Sequence, residues 1–132
     1  MTKQNIRRRF HDSKGQALVE FALVLPLLAG LLFGILQFGL IFNNYVDLTD
    51  AVRAGARKAA VSRQTDDPAG PVGVTKQAVV NSAGDITLDP SKDIDVVSDW
   101  QPGDDVTVTA VYHFRVFGVP FDLHSKTTER VE

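Results

Sequence analysis

The sequence predicts an α+β fold in which one long N-terminal helix, apolar over its first part, carries a small antiparallel β-sheet. Two observations lead to this prediction. Residues 21–42 contain no charged side chain, whereas residues 106–117 alternate between two sets of side chains with a period of two. An uncharged apolar run of that length is typical of a membrane-spanning helix, and a period of two is typical of a β-strand.

Charge is distributed unevenly along the 132 residues. Residues 1–15 hold five basic and one acidic side chain, whereas residues 16–132 hold nine basic and fifteen acidic ones. This asymmetry predicts a basic leader and an acidic body that meet different surroundings. Nucleic-acid binding would explain the leader but not the apolar run behind it, so nucleic acid is not expected as a partner.

The apolar run is long enough to cross a bilayer. As a helix its residues would span about 33 Å, against a hydrocarbon core of about 30 Å. The alternative is a buried helix of a soluble protein, but the roughly 90 residues that follow can hardly cover all of its sides. We therefore predict a transmembrane helix at residues 16–42 and an extracytoplasmic α+β domain at residues 43–132.

The flanks of the span predict its orientation. Three consecutive arginines at residues 7–9 and two lysines precede it, whereas residues 43–50 contain two aspartates and no basic side chain. Short cytoplasmic flanks collect lysine and arginine. The N terminus is therefore expected in the cytoplasm.

The start of the apolar run resembles a known processing signal. A basic leader ends at Gly15, and Glu20 follows five residues later, inside the apolar helix. This arrangement resembles the class III signal of type IV prepilins, in which a membrane peptidase cuts after the glycine and a glutamate occupies position five of the mature chain. Over residues 14–62, the stretches GQALVEFALVLPLLAGLLFGILQFG and DAVRAGARKAAVS resemble the TadE-like pseudopilins of tight-adherence (Flp) type IVb pilus systems.

The resemblance implies a minor pilin or pseudopilin that acts in the assembly of a Tad/Flp-type pilus. It implies cleavage between Gly15 and Gln16 by a prepilin peptidase, and a single-pass location in the bacterial inner (cytoplasmic) membrane. Its implied partners are membrane lipid, the peptidase, other pilins or pseudopilins and the Tad inner-membrane machinery, in homo- or hetero-oligomers.

Glu20 has a physical role in this interpretation. A carboxylate in a bilayer is costly and persists where a positive group meets it. Cleavage would create an α-amino group at Gln16, which is largely or partly protonated near neutral pH. Glu20 of one subunit could then pair with that amine of its neighbour and set the register of packed helices. The alternative is that Glu20 lies among the lipid headgroups and extends to water.

A row of small residues favours close packing of the span. Ala22, Pro26, Gly30 and Gly34 recur every four residues, and the GxxxG pattern at Gly30 and Gly34 lets helix backbones approach each other. Pro26 lacks the N–H that would bond the Ala22 carbonyl, which predicts a kink. We assign Glu20, Pro26, Gly30 and Gly34 to assembly.

Beyond the span, the sequence predicts a further helix at residues 46–61, a loop at 62–73, and a short helix with Thr75 as N-cap and Gly84 as its stop. The apolar side of the first of these helices is predicted to comprise Val46, Ala51, Val52, Ala56, Ala59 and Ala60, with Asp50 and Arg53 paired across one turn.

The remainder is predicted to be β-structure. A short strand at residues 94–97 and a turn at 101–104 lead to the alternating strand. A type II′ turn at Gly118 and Val119 would then close a hairpin. The predicted cross-strand pairs are Val116 with Phe121, Phe114 with Leu123, Arg115 with Asp122, and His113 with His124.

No cofactor, metal or catalytic residue is assigned. Cysteine is absent, so disulfides, cysteine-based zinc sites and thiol-linked lipids are excluded. Two facing histidines are too few to hold a metal, and the aspartates of residues 85–105 match no calcium-loop spacing. Neither a phosphate-binding glycine loop, an HExxH motif nor a nucleophile elbow occurs, so an enzyme is not expected. The alternative function is an uncleaved single-pass anchor that presents a ligand-binding β domain.

Overall fold

The computed structural model describes the backbone of residues 5–132 and the side chains of residues 15–132. The basic side chains of the predicted leader therefore lie outside the described residues. The chain forms two compact units, residues 1–39 and residues 40–132.

Helix α1 runs from Asn5 to Ala60 and continues through Pro26. The two helical stretches predicted at residues 16–42 and 46–61 thus belong to one helix. In the first unit its apolar side chains are exposed, among them Leu23 at 74% and Leu27 at 75%. Among the described residues, α1 is the one helix long and apolar enough to cross a membrane, with a mean hydropathy of 2.4 over its most apolar window and none of that window buried. These properties suggest a single-pass membrane anchor.

The second unit combines the last third of α1 with a short helix and a three-stranded sheet. Helix α2 spans Gly70–Asn81, and the strands are β1 at Ile94–Val97, β2 at Asp105–Val116 and β3 at Val119–Arg130. The sheet has the order β1-β2-β3, with both pairs antiparallel. The predicted α+β layout is confirmed.

The core of the second unit lies between α1, α2 and the sheet. The α1 residues that enter this core are spaced three or four positions apart, so their side chains lie on one face of the helix. The buried α1 residues are Leu48, Ala51, Val52, Ala56, Ala59 and Ala60. The predicted apolar side is therefore right except at Val46, which is 40% exposed because it lies outside this spacing. Leu48, which the prediction did not include, is fully buried on this face instead of Val46.

Helix α2 packs closely on α1 because Gly55 carries no side chain. A Cβ at Gly55 would collide with the side chain of Val79 and would lie 3.5 Å from the Thr75 carbonyl oxygen. Further along, Gly84 contacts the side chain of Asp47, since a Cβ at Gly84 would lie 3.3 Å from the Asp47 carboxyl carbon. Both contacts fix the segment around α2 against α1.

The predicted N-cap of α2 was wrong. The helix begins at Gly70, inside the predicted loop, and has Pro71 in its first turn. Proline suits this position because its fixed φ is helical and its missing N–H is not needed there. Thr75 instead lies fully buried within the helix, and its Oγ1 donates a hydrogen bond to the Pro71 carbonyl at 2.7 Å. The helix ends at Asn81, and Gly84 follows three residues later with φ +62°.

The predicted register of the hairpin was also wrong. Phe117 and Gly118 have φ values of +50° and +83°, so they form the two central residues of a type I′ turn. Type I′ turns match the right-handed twist of the flanking strands, which favours this closure. Each β2 residue therefore pairs with a β3 residue that lies two positions earlier in the sequence than its predicted partner. A shift of two residues keeps every side chain on its predicted face of the sheet. The observed pairs include Val116 with Val119, Arg115 with Pro120, Phe114 with Phe121, His113 with Asp122, and Val111 with His124.

The other β elements agree with the prediction. Strand β1 has the predicted bounds, and the turn at residues 101–104 closes through a hydrogen bond from the Asp104 N–H to the Gln101 carbonyl at 3.1 Å. Gly103 has φ +88° at the third position of this turn, where glycine is favoured.

Candidate functional site: the first turns of the apolar helix

Gly15 lies within α1 in the intact chain, with an exposed backbone. A Cβ at this position would meet nothing within 4 Å. The bond between Gly15 and Gln16 is therefore accessible, but it belongs to a helix rather than to an extended segment.

Gln16 and Glu20 are brought together by one turn of α1. The Gln16 side-chain amide donates a hydrogen bond from Nε2 to Oε1 of Glu20 at 3.1 Å, and both residues are exposed. The intact chain thus supplies a polar partner for this carboxylate on its own helix. The sequence prediction did not include this contact, although a spacing of four residues is the signal for it.

The small-residue row is exposed along the apolar part of α1. Gly30 and Gly34 face open space, since a Cβ at either position would meet nothing within 4 Å. Ala22 and Pro26 are exposed on the same helix. The row therefore leaves room for another helix to approach the backbone of α1 closely.

Cavities open on the described surface of the second unit, and two of them are lined partly by α1. The first is a groove of about 200 Å³ on the surface of α1, beside the ion pair in which Arg53 lies 3.5 Å from Asp50. This ion pair agrees with the prediction. The second, of about 510 Å³, lies between the end of α1 and residues 129–132. Among the described residues, no group of three or more histidine, aspartate or glutamate side chains could hold a metal ion.

His113 has carboxylate partners rather than the predicted histidine partner. Its Nδ1 lies 2.6 Å from Oδ1 of Asp122, and its Nε2 lies 3.9 Å from Oδ1 of Asp93. His124 pairs with Val111 because of the type I′ turn. The hydrogen bond with Asp122 raises the pKa of His113 above its usual value, and the negative charges of Asp122 and Asp93 add to this effect.

Comparison with known proteins finds a family match in the part of the chain that contains Gly15, Glu20 and the small-residue row. The family model of TadE-like proteins matches residues 15–57. The match begins at Gly15 and includes Gln16, Glu20, the small-residue row and most of the α1 residues buried in the second unit. No curated protein and no solved structure matches the chain. The sequence resemblance is thus confirmed over residues 15–57, the part of the chain that is similar to TadE-like proteins.

Proposed function

We propose that this protein is a minor pilin or pseudopilin of a Tad/Flp-type pilus, cut after Gly15 and assembled through its N-terminal helix. One observation carries the proposal: Gly15 and Glu20 have the prepilin spacing at the start of a bare apolar helix, inside the segment that matches the TadE-like family. The role is structural rather than enzymatic, and it needs no cofactor.

Cleavage would require local opening of α1. Proteolysis needs an extended substrate, whereas the bond between Gly15 and Gln16 is helical in the intact chain. Glycine lowers helix stability by about 1 kcal/mol relative to alanine, which makes Gly15 a favourable place to open the helix. Hydrolysis of this bond would release the leader with a new carboxylate and leave an α-amino group on Gln16.

The new amine changes the partners available to Glu20. In the intact chain Glu20 accepts a hydrogen bond from the uncharged side-chain amide of Gln16. After cleavage, the protonated amine of a neighbouring subunit would offer a hydrogen bond to which the attraction between opposite charges is added. Glu20 would thus exchange the Gln16 side chain of its own helix for the amine of a neighbouring subunit. Because this amine forms only after cleavage, the exchange links cleavage to helix packing and fixes the axial stagger between subunits.

The small-residue row would form the contact surface of the packed helices. Gly30 and Gly34 allow backbones to approach, and the exposed leucines and phenylalanines around them would interlock with a neighbouring helix or contact lipid. The basic leader would keep the N terminus in the cytoplasm, with residues 43–132 outside the inner membrane. A prepilin peptidase, other pilins and the Tad inner-membrane machinery are the proposed partners.

The proposal is tested by the N terminus of the protein purified from bacterial membranes. We expect mass spectrometry to find a chain that begins at Gln16 in cells with an active prepilin peptidase, and a chain with its leader in cells without one. Gly15→Leu should block cleavage, whereas Gly39→Leu, at an equally open position of α1, should not. A leader retained in peptidase-containing cells would contradict the proposal and support an uncleaved single-pass anchor that presents the β domain.

A further inference from the structure

The hairpin of β2 and β3 extends its apolar face beyond the core. Val106, Val108 and Ala110 on β2 are fully buried in the core. Because side chains alternate along a strand, the same face continues with apolar residues to the turn. These residues, at least partly exposed, are Tyr112, Phe114, Val116, Val119, Phe121 and Leu123. Phe114 stacks on Tyr112 and on Phe121, each at 5.9 Å between ring centres, so the outer part of the face is an ordered aromatic surface.

The turn adds the most exposed of the large apolar side chains described. Phe117 is 83% exposed and has φ +50°, a backbone region that bulky residues rarely adopt. Asparagine, aspartate or glycine is the usual residue at this position of a type I′ turn. Phe117 therefore adopts an unfavourable backbone conformation and leaves most of its apolar side chain in contact with solvent.

The hairpin tip lies at the end of the hairpin that is far from Ala60, the last residue of α1. The end of β3 lies beside the end of α1, where the Glu132 N–H donates a hydrogen bond to the Ala60 carbonyl at 2.9 Å. The buried part of α1, from Leu48 to Ala60, is about 18 Å long at 1.5 Å per residue. Each hairpin strand has 12 residues and is about 40 Å long. The outer half of the hairpin thus extends past the core, away from Ala60.

The charge of the tip differs from that of the rest of the domain. Residues 114–121, FRVFGVPF, include one basic residue, Arg115, and no acidic one, whereas residues 85–105 contain seven aspartates. A tip of phenylalanines beside one arginine suits the interface of a bilayer, where aromatic rings sit among headgroups and a basic side chain meets anionic lipid.

We propose that the hairpin tip is a second membrane contact, in which Phe117, Val119 and Phe121 enter the bilayer interface and Arg115 meets lipid phosphate. The contact would hold the domain against the bilayer surface. It depends on the membrane span of α1 but not on cleavage or on a role in the pilus.

The absence of cysteine allows a direct test with the full-length chain. Val119→Cys, labelled with an environment-sensitive fluorophore, is placed in nanodiscs of phosphatidylethanolamine and phosphatidylglycerol at one copy per disc. We expect blue-shifted emission and several-fold stronger quenching by spin-labelled lipid than for Gln101→Cys, an exposed control at the opposite end of the hairpin. When Phe117→Asp is combined with Val119→Cys, the emission of the label should shift to that of a water-exposed probe. Phe117→Leu should leave the blue-shifted emission unchanged. Emission of Trp100, the single tryptophan, checks that each variant is folded.

Water-like emission from Val119→Cys in single-copy discs would overturn the proposal. A blue shift that occurs only with two copies per disc would also overturn it, because it would assign the tip to contact with a second copy. Both readouts use the uncut chain, so neither depends on whether the proposed pilus function is correct.

Discussion

The side chains of Gln16 and Glu20 are joined by a hydrogen bond of 3.1 Å along the first turns of the apolar helix. Gln16 therefore holds two potential donors for a glutamate: its side-chain amide in the intact chain and, after the proposed cleavage, its α-amino group. Only the second donor carries a charge, and the proposed assembly step depends on that difference.

Variants of these two residues separate the donors. We expect Glu20→Ala to enter the membrane normally but to lose association with other pilins, because the amine of the neighbour loses its partner. Gln16→Ala removes the amide but retains an amine after cleavage, so it should still associate. Cross-linking in membranes measures both outcomes. Equal association of Glu20→Ala and the wild-type protein would contradict the proposed register.

Gly55 sets the distance between α1 and α2. We expect Gly55→Ala to destabilise the domain by about 1–3 kcal/mol, because its Cβ would collide with the Val79 side chain. Thermal unfolding in detergent, followed by Trp100 fluorescence, measures the change. Gly39→Ala is the matched control, since its Cβ meets nothing within 4 Å and the same substitution should cost nothing there. Val79→Ala combined with Gly55→Ala should recover part of the loss.

The carboxylates around His113 predict a pH dependence of stability. Asp122 raises the pKa of His113 in the folded state, so the protonated ring stabilises the folded domain. This stabilisation is fully present at pH values below about 6.5, the ordinary pKa of histidine. This contribution is lost as the pH rises through the raised value. We therefore expect stability to fall from slightly acidic to slightly alkaline pH.

NMR titration of the histidine ring protons measures this effect directly. His113 should titrate at higher pH in the wild-type protein than in Asp122→Asn, in which the charge and the strongest acceptor are removed. Asp93→Asn should produce a smaller decrease, because Asp93 lies farther from the ring. An unchanged His113 titration in Asp122→Asn would show that the hydrogen bond does not form in solution.

Phe117 offers a test of conformational strain in the turn. We expect Phe117→Asn to stabilise the hairpin by about 1 kcal/mol, because asparagine tolerates positive φ whereas phenylalanine does not. Thermal unfolding in detergent would measure this gain, and Gly118→Ala should show the opposite sign because it introduces a side chain at φ +83°. In a bilayer the gain of Phe117→Asn should shrink, since the variant loses the proposed contact with lipid.

The parts of this fold that depend on periodicity could be predicted from the sequence. The uncharged run marked the apolar helix, and the alternation along β2 marked the buried face of the sheet. The hairpin register could not be derived in this way, because it depends on Phe117 accepting a backbone conformation that its side chain disfavours. The start of α2 was missed because Thr75 resembles an N-cap, whereas Pro71 marks the first turn more reliably.

The features of the candidate site that could be predicted from the sequence are also those that depend on short spacings along the chain. Gly15 and Glu20 were recognisable because their relationship is a spacing within one short segment. The bond between Gln16 and Glu20 was within reach of the same reasoning, since it joins residues one helical turn apart. The approach of Asp93 to His113 was not, because it joins a residue in the turn before β1 to a residue of β2, and their proximity depends on the tertiary fold.

The core of the second unit joins Leu48, shortly after the apolar run, to Val131, after the last strand. A ribosome therefore delivers the apolar run well before it supplies the residue that closes this core. The domain therefore cannot complete its packing until the chain has been made as far as Val131. Any factor that shields the incomplete domain until then would act on residues 43–130.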